Sequence, residues 1–337
     1  MPQLTIERFD GAADARALAS CHYLVQECIR ADQPDQAQWS LGAFGAKWVE
    51  GFSGSPQETW FAADDGGAIV GCYLLTLHDR ENLSMASVVL RVAPDRRRTG
   101  IGTALLRHCE GRATAAGRTR LTGESWDGTS GAAFAKAIGA SPGIPEVHRR
   151  LPLTNEVRGR LPGLRKEAEE RAAGYSLLSW VGPTPEERLE KVAAVHAAME
   201  DAPRDAGVEH RVWDADRIRR LEQLAAEHGV IHHTVLARHD ETGDLAAITQ
   251  VLTDPDAAPA FGFQGLTAVL RGHRGHRLGL LVKVAMIDLL AETEPQVDRI
   301  ETDNAGSNEY MIAINAKLGF EVSGVTRDWE LDLTAAS

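Results

Sequence analysis

Residues 92–106 read VAPDRRRTGIGTALL: a strand-like apolar end, three consecutive arginines, two glycines one residue apart, and an apolar helical segment. A basic, glycine-broken turn at the start of a helix is suited to holding an anion such as a phosphate. The unpaired N–H groups of the first helical turn and the helix dipole both favour negative charge, and glycine lets an anion approach the backbone closely. The plainer reading of Arg96, Arg97 and Arg98 is a solvated helix entrance. The common nucleotide-binding motifs are excluded by spacing, because there is no GxxxxGK[ST] loop and no GxGxxG followed by an acidic residue about 20 positions later.

The pattern occurs twice. RGHRGHRLGLLVK follows the strand-like LTAVL and puts Arg274, Arg277 and Gly279 where the first stretch has Arg97, Gly100 and Gly102; Arg97 and Arg274 are 177 residues apart. Gly67 and Gly243, in DDGGAIVG and DETGDLAA, are 176 apart, and Gly139 and Gly319, in AKAIGA and NAKLGF, are 180 apart. Three unrelated local features holding one register imply two copies of one fold. The expected organisation is an N-terminal domain over residues 1–152, a solvated linker helix over 153–174 with Pro162 and Gly163 in it, and a C-terminal domain over 175–337.

Each copy must position its turn with a strand before and a helix after. The period-2 and period-3.6 patterns predict strand, helices, hairpin, strand, turn, helix, strand, helix and closing strand in each half, including one helix over residues 183–199. Hairpins beside a strand–helix–strand crossover imply an α+β (mixed α/β) class: two domains, each a mixed, largely antiparallel sheet flanked by helices.

RRTGIG, with the flanking strand and helix and the later KLGF-type helix, resembles the phosphate motif of the GNAT superfamily of acyl-CoA-dependent N-acyltransferases: Arg or Gln, two residues, Gly, one residue, Gly or Ala. The resemblance covers nearly the whole chain, twice over. It implies acetyl-CoA or another acyl-CoA as co-substrate, with the pyrophosphate on the turn formed by Arg97, Arg98, Thr99, Gly100, Ile101, Gly102 and Thr103, or on Arg274, Gly275, His276, Arg277, Leu278 and Gly279. Asn308 would stand on the cofactor side of the second copy.

The copies depart from the family in opposite ways. Arg277 replaces the first glycine of the second turn, whereas the first turn is intact. The family's tyrosine acid is replaced by Asn315 in the second copy and by Ala135 in the first, where Gly128 also replaces the cofactor-side asparagine. At the place of a fourth-strand carboxylate base the copies have Ala86 and Gln264, and glutamine cannot act as a base. Glu301 and Asp303, and Glu124 in the first copy, are the carboxylates on the fifth strands; their plainer reading is surface charge. Glu301, Asp303 and Asn315 mark the second copy as the expected catalytic one, because Asn304, Asn308 and Asn315 gather polar groups there.

The resemblance thus implies transfer of an acetyl or other acyl group to a primary amine of a small molecule, by direct attack in a ternary complex. A catalytically silent acyl-CoA sensor and an aminoacyl-tRNA-dependent amide-forming transferase are the alternatives. The formal charge of −12 argues against nucleic acid as a partner. The 337-residue length suits two domains. Cys21, Cys28, Cys72 and Cys109 form no CxxC or zinc-type spacing, and His273 and His276 lack completing ligands, so no metal is expected. Unpaired cysteines, the absence of an N-terminal signal pattern and the lack of a long apolar run lead to an expectation of a cytoplasmic protein with no membrane contact. Residues 39–48 and 206–213 are the expected acceptor walls by position.

Overall fold

The structure, a computed structural model, describes residues 4–9, 14–51, 55–197, 207–305 and 308–334. The chain begins with β1 (Thr5–Arg8), α1 (Ala15–Asp32) and α2 (Leu41–Gly45), the last running into a π-helical turn, Ala46–Glu50. β2 (Gln57–Ala63), β3 (Ile69–Leu77) and β4 (Met85–Val92) follow, then α3 (Ile101–Ala115), β5 (Arg120–Trp126), α4 (Ser130–Ala137) and β6 (Ser141–Pro152). β1 to β4 pair antiparallel in sequence order, and β4 pairs with β5 in parallel because the α3 crossover returns the chain to the same end of the sheet.

The pleat sorts this sheet's residues between two faces. α1 buries Ala17, Cys21, Leu24, Val25 and Cys28 against Phe61, Cys72 and Leu74 on one face. α3 buries Ile101, Leu105, Leu106 and Cys109 against Tyr73, Leu75, Ala86 and Leu121 on the other. Cys21 and Cys28 share the buried face of α1, and the four cysteines are free thiols.

The second half comprises α5 (Asn155–Glu169), β7 (Tyr175–Val181), α6 (Leu189–Ala197) and α7 (Ala215–Glu227). Then come β8 (Ile231–His239), β9 (Leu245–Thr253), β10 (Gly262–Val269), α8 (Leu278–Thr293), β11 (Arg299–Ala305), α9 (Glu309–Leu318) and β12 (Glu321–Asp332). The end of the helix expected over 183–199 lies outside the described residues. β7 to β10 are antiparallel and β10 runs parallel to β11, repeating the first pattern.

The duplication extends to single contacts. Arg97 Nε donates to the Val92 carbonyl at 3.3 Å, and Arg274 Nε donates to that of Val269 at 3.3 Å. A Cβ on Gly102 would meet Phe134, and one on Gly279 would meet Ile314, the residue in the matching place.

The compact units do not follow the sequential boundaries expected at 152 and 175. One unit contains residues 1–145, 207–209 and 325–337; the other contains 146–206 and 210–324. The reason is an exchange of closing strands. Thr326–Asp332 of β12 pair antiparallel with β5, from Thr326↔Trp126 to Asp332↔Arg120. Residues 146–152 of β6 pair with β11, from Ala305↔Glu146 to Arg299↔Pro152. A closing strand's alternation specifies which face is buried, but either fifth strand offers it an equivalent edge. Residues 153–174, expected as a solvated linker, supply α5, whose Val157, Leu161 and Ala168 are buried in the second unit's core.

Candidate active site

In the first unit, the turn after β4 passes through Arg98 at φ 65° and Gly100 at φ 93°, both left-handed, before α3 begins. No side chain among the described residues caps this helix, so its first N–H groups point into the turn without a side-chain acceptor. Arg97 does not extend outward: its guanidinium makes two bonds to Asp32, at 2.7 and 2.9 Å, which tie the turn to the end of α1. Thr99 Oγ1 donates to the Arg96 carbonyl, while Arg98 is exposed. At Gly102 a Cβ would lie 3.7 Å from Phe134 and Val92. The protein itself has room for a side chain there.

β4 and β5 pair only from Met85↔Arg120 to Val88↔Gly123 and then part. A cavity of about 780 Å³ occupies the gap. It is lined by Arg98, Gly100, Gly102, Thr103, Leu106 and Phe134 on the α3 face, and by His22, Phe44, Lys47, Trp48, Arg91 and Glu124 on the other. Since Leu90 and Val92 pack with α3 while Val89 packs with α1, the cavity passes through the sheet. Beyond Val88 the β4 backbone edge facing it lacks a strand partner, leaving amide groups able to bind an extended polar chain.

Three charged side chains stand on the α1 side of this passage. Glu124 accepts from Thr326 Oγ1 at 3.3 Å. Lys47 lines the cavity and is exposed. Desolvation by the surrounding protein pushes its ammonium below the ordinary range; Arg91's charge acts the same way and Glu124 partly offsets both.

In the second unit the corresponding gap is filled. β10 and β11 pair only at Gly262↔Ile300 and Phe263↔Glu301. Beyond that point Lys283 of α8 donates to Gln264 Oε1 and, at 2.8 Å, to Asn315 Oδ1. Asn315 Nδ2 donates to Asn304 Oδ1 at 2.8 Å, and Gln264 Nε2 to Thr249 Oγ1 at 2.8 Å. This chain bridges the two parted strands from the buried helices. Lys283 and Asn315 occupy the places that Leu106 and Ala135, both cavity-lining, hold in the first unit. Burial pushes the Lys283 amine down to about 7. A neutral amine has two N–H donors, matching its two carbonyl acceptors.

The remaining sequence candidates of the second unit are engaged locally. Arg277 is left-handed at φ 55° and forms an ion pair with Glu167, which also pairs with Lys317. Gly275 has φ 90°, His276 Nδ1 contacts the Arg171 carbonyl, and Leu278 and Gly279 are buried. Asn308 caps α9 by accepting from Met311 N. Glu301 accepts from Arg150 and Arg299. Burial raises the Asp303 carboxyl above its usual range. The sequence singles out neither Arg91 nor Lys283, and takes in Lys47 only as part of the wall expected over residues 39–48. The signal at Lys283 is a single cation inside the apolar run Leu278–Ile287 of α8.

Among the described residues no group of three or more His, Cys, Asp or Glu side chains is placed to hold a metal ion, and no helix is long and apolar enough to cross a membrane. Of the expected acceptor walls, Trp39 and Trp48 line the first unit's cavity, whereas Ala206 lies outside the described residues.

The Acetyltransferase (GNAT) family matches residues 18–139, all within the first unit. No curated protein matches the chain. A tandem GNAT protein from the clavulanic acid biosynthesis pathway, solved without AcCoA, is 30% identical over 98% of this chain and 99% of its own, with a TM-score of 0.80. A GCN5-related N-acetyltransferase from Sphaerobacter thermophilus shares the fold at 15% identity, over 98% of this chain and 96% of its own, with a TM-score of 0.68. With two copies of the strand–turn–helix unit and likeness to a tandem protein along its whole length, this chain belongs to the GNAT acetyltransferase family as a tandem member.

Proposed function

We propose that the first unit transfers an acetyl or other acyl group from acyl-CoA to a primary amine of a small molecule, by direct attack in a ternary complex. The second unit, in this reading, is a supporting domain whose equivalent channel is closed. The observation that carries the proposal is the passage between the parted β4 and β5. It starts at an uncapped helix N-terminus and ends beside a carboxylate.

Acyl-CoA fits the residues present. The N–H groups of Ile101, Gly102 and Thr103 and the charge of Arg98 would hold its pyrophosphate, and the room at Gly102 allows close approach. The free edge of β4 would bind its amide-bearing arm. When bound, acyl-CoA supplies the acyl group activated as a thioester. Glu124 accepts a proton from the acceptor's ammonium, directly or through water, leaving the amine lone pair free to attack. Ala135 has no proton to give to the departing sulfur, so the proton taken by Glu124 is the one at hand.

The test uses one substitution at matched positions. Arg98 and Gly275 are exposed and left-handed in their respective turns; aspartate places a negative charge at either, changing the charge by −2 at Arg98 and −1 at Gly275, with φ of 65° inside the range aspartate adopts and φ of 90° adding local backbone strain. Calorimetric titration with acetyl-CoA should show one binding event per chain, at least tenfold weaker in Arg98→Asp and unchanged in Gly275→Asp. Loss only in Gly275→Asp would move the site to the second unit. Thiol release over a panel of amines separates an enzyme from a silent acyl-CoA sensor.

A further inference from the structure

Lys47 is aimed by a device that the phosphate turn does not need. It lies in the π-helical turn Ala46–Glu50, where the Gly51 N–H reaches back to the Ala46 carbonyl at 2.8 Å. Such turns widen the helix and concentrate at functional sites. Two side chains of β2 pin this one. Gln57 Nε2 donates to the Lys47 carbonyl at 2.9 Å, and Thr59 Oγ1 donates to that of Trp48. Gly51 makes the first bond possible: a Cβ there would come within 2.5 Å of Gln57 Oε1, and its φ of 80° is left-handed. The backbone is thereby fixed so that Lys47 enters the cavity.

What Lys47 meets there is a second cation. Arg91 lies on the α1 face of β4 and lines the same cavity, and its charge lowers Lys47's proton affinity. Neither has an ion-pair partner among the described residues. Arg91 donates only to the neighbouring Leu90 carbonyl, at 3.0 Å. Asp32 and Arg97, the other lining pair, neutralise each other at the turn. Among the described residues this leaves Glu124 as the single carboxylate on the acceptor side, against Lys47 and Arg91. Two lining cations beside one lining anion leave an excess of one positive charge on this side of the cavity. A guanidinium and an ammonium lining one cavity suit a planar or tetrahedral oxyanion.

We propose that the acceptor carries an anionic group beside its amine, a carboxylate or a phosphate, read by Lys47 and Arg91 while the amine faces Glu124. The acceptor class is therefore a zwitterionic small molecule of amino-acid type, not a simple amine or a polyamine. This inference rests on the first unit being the acyl-transfer site.

The test measures calorimetric binding to the CoA-saturated full-length protein, using matched probes: phenylalanine against phenethylamine, and phosphoethanolamine against ethanolamine. At least one anion-bearing probe should bind tenfold or more tighter than its neutral partner; which pair shows the preference separates carboxylate from phosphate. In Lys47→Met that preference should fall at least tenfold while acetyl-CoA affinity stays within twofold. Arg91→Met, which keeps the apolar stem, should behave alike. Equal binding of both members in both pairs, tighter binding of the neutral members, or a preference that survives in both variants would overturn the inference with acetyl-CoA binding intact. Failure of the wild-type protein to bind acetyl-CoA at all would instead remove the reading on which the inference stands.

Discussion

Asp32 and Arg97 lie 65 residues apart and meet through two hydrogen bonds of 2.7 and 2.9 Å, fastening the last residue of α1 to the residue that opens the turn before α3. The signature arginine of the motif is thus a brace. Arg98, Gly100 and the following amides are left to face the cavity.

Asp32→Ala should therefore weaken acetyl-CoA binding while leaving Arg98, Gly100 and the amides of the turn in place. Losing a charge-assisted pair at a partly buried site costs about 1–3 kcal/mol. A several-fold rise in the acetyl-CoA Kd together with a lower unfolding midpoint is expected. An unchanged Kd would show that the turn holds its shape unaided.

Glu124→Gln keeps the size of the side chain and its ability to accept from Thr326 but removes the proposed base. A fall in kcat of about a hundredfold or more is expected with unchanged acetyl-CoA affinity, in line with the usual contribution of a positioned base. Steady-state kinetics alongside calorimetry checks both halves.

Lys283 links stability to pH. Its amine titrates at about 7 in the folded chain, against an ordinary value of 10.5. Between those limits the unfolded chain holds a proton that the folded chain lacks, so this group makes stability rise as pH increases from about 7 to 10.5. The slope contributed is at most about 1.4 kcal/mol per pH unit. In Lys283→Met that component should vanish. Denaturant unfolding of both proteins at pH 7.5 and 9.5 reads the difference, and parallel shifts would argue against a neutral buried amine.

Trp329 belongs by sequence to the second copy and by structure to the first unit. Its ring packs with Ala132 and Ala135, and its Nε1 donates to Ser125 Oγ at 2.8 Å. Trp329→Ala should cost about 3–5 kcal/mol. The loss of amide-exchange protection should appear in β5 and α4 and spare β9 and α8.

The duplication, the strand–turn–helix core and the glycine turn were legible because each rests on local chemistry: glycines where φ is positive, and apolar residues at period 2 or 3.6. Strand exchange was not, since the alternation in β6 and β12 is satisfied by either partner edge. Asn315 drew attention as a polar residue at a catalytic position, and its engagement with Lys283 and Asn304 depends on a side chain 32 residues away on another helix. Lys47 was not singled out because nothing in AKWVEG announces a π turn; its carbonyl partners come from β2. Arg277 in the left-handed region, at about 1 kcal/mol, shows that a glycine position can be filled where the surroundings hold the turn.

The exchanged closing strands also set an order of events at the ribosome. In most multidomain chains an N-terminal domain can finish folding while the rest is still being made. Here β5 waits with an open edge until residues 326–332 have been synthesised, some 200 residues after the edge itself emerges. Throughout that interval β5 lacks its native partner and its edge is open to a foreign strand or to β6, so the nascent first unit has particular need of a chaperone. The acyl-transfer site, as proposed, is finished last although its turn is made first.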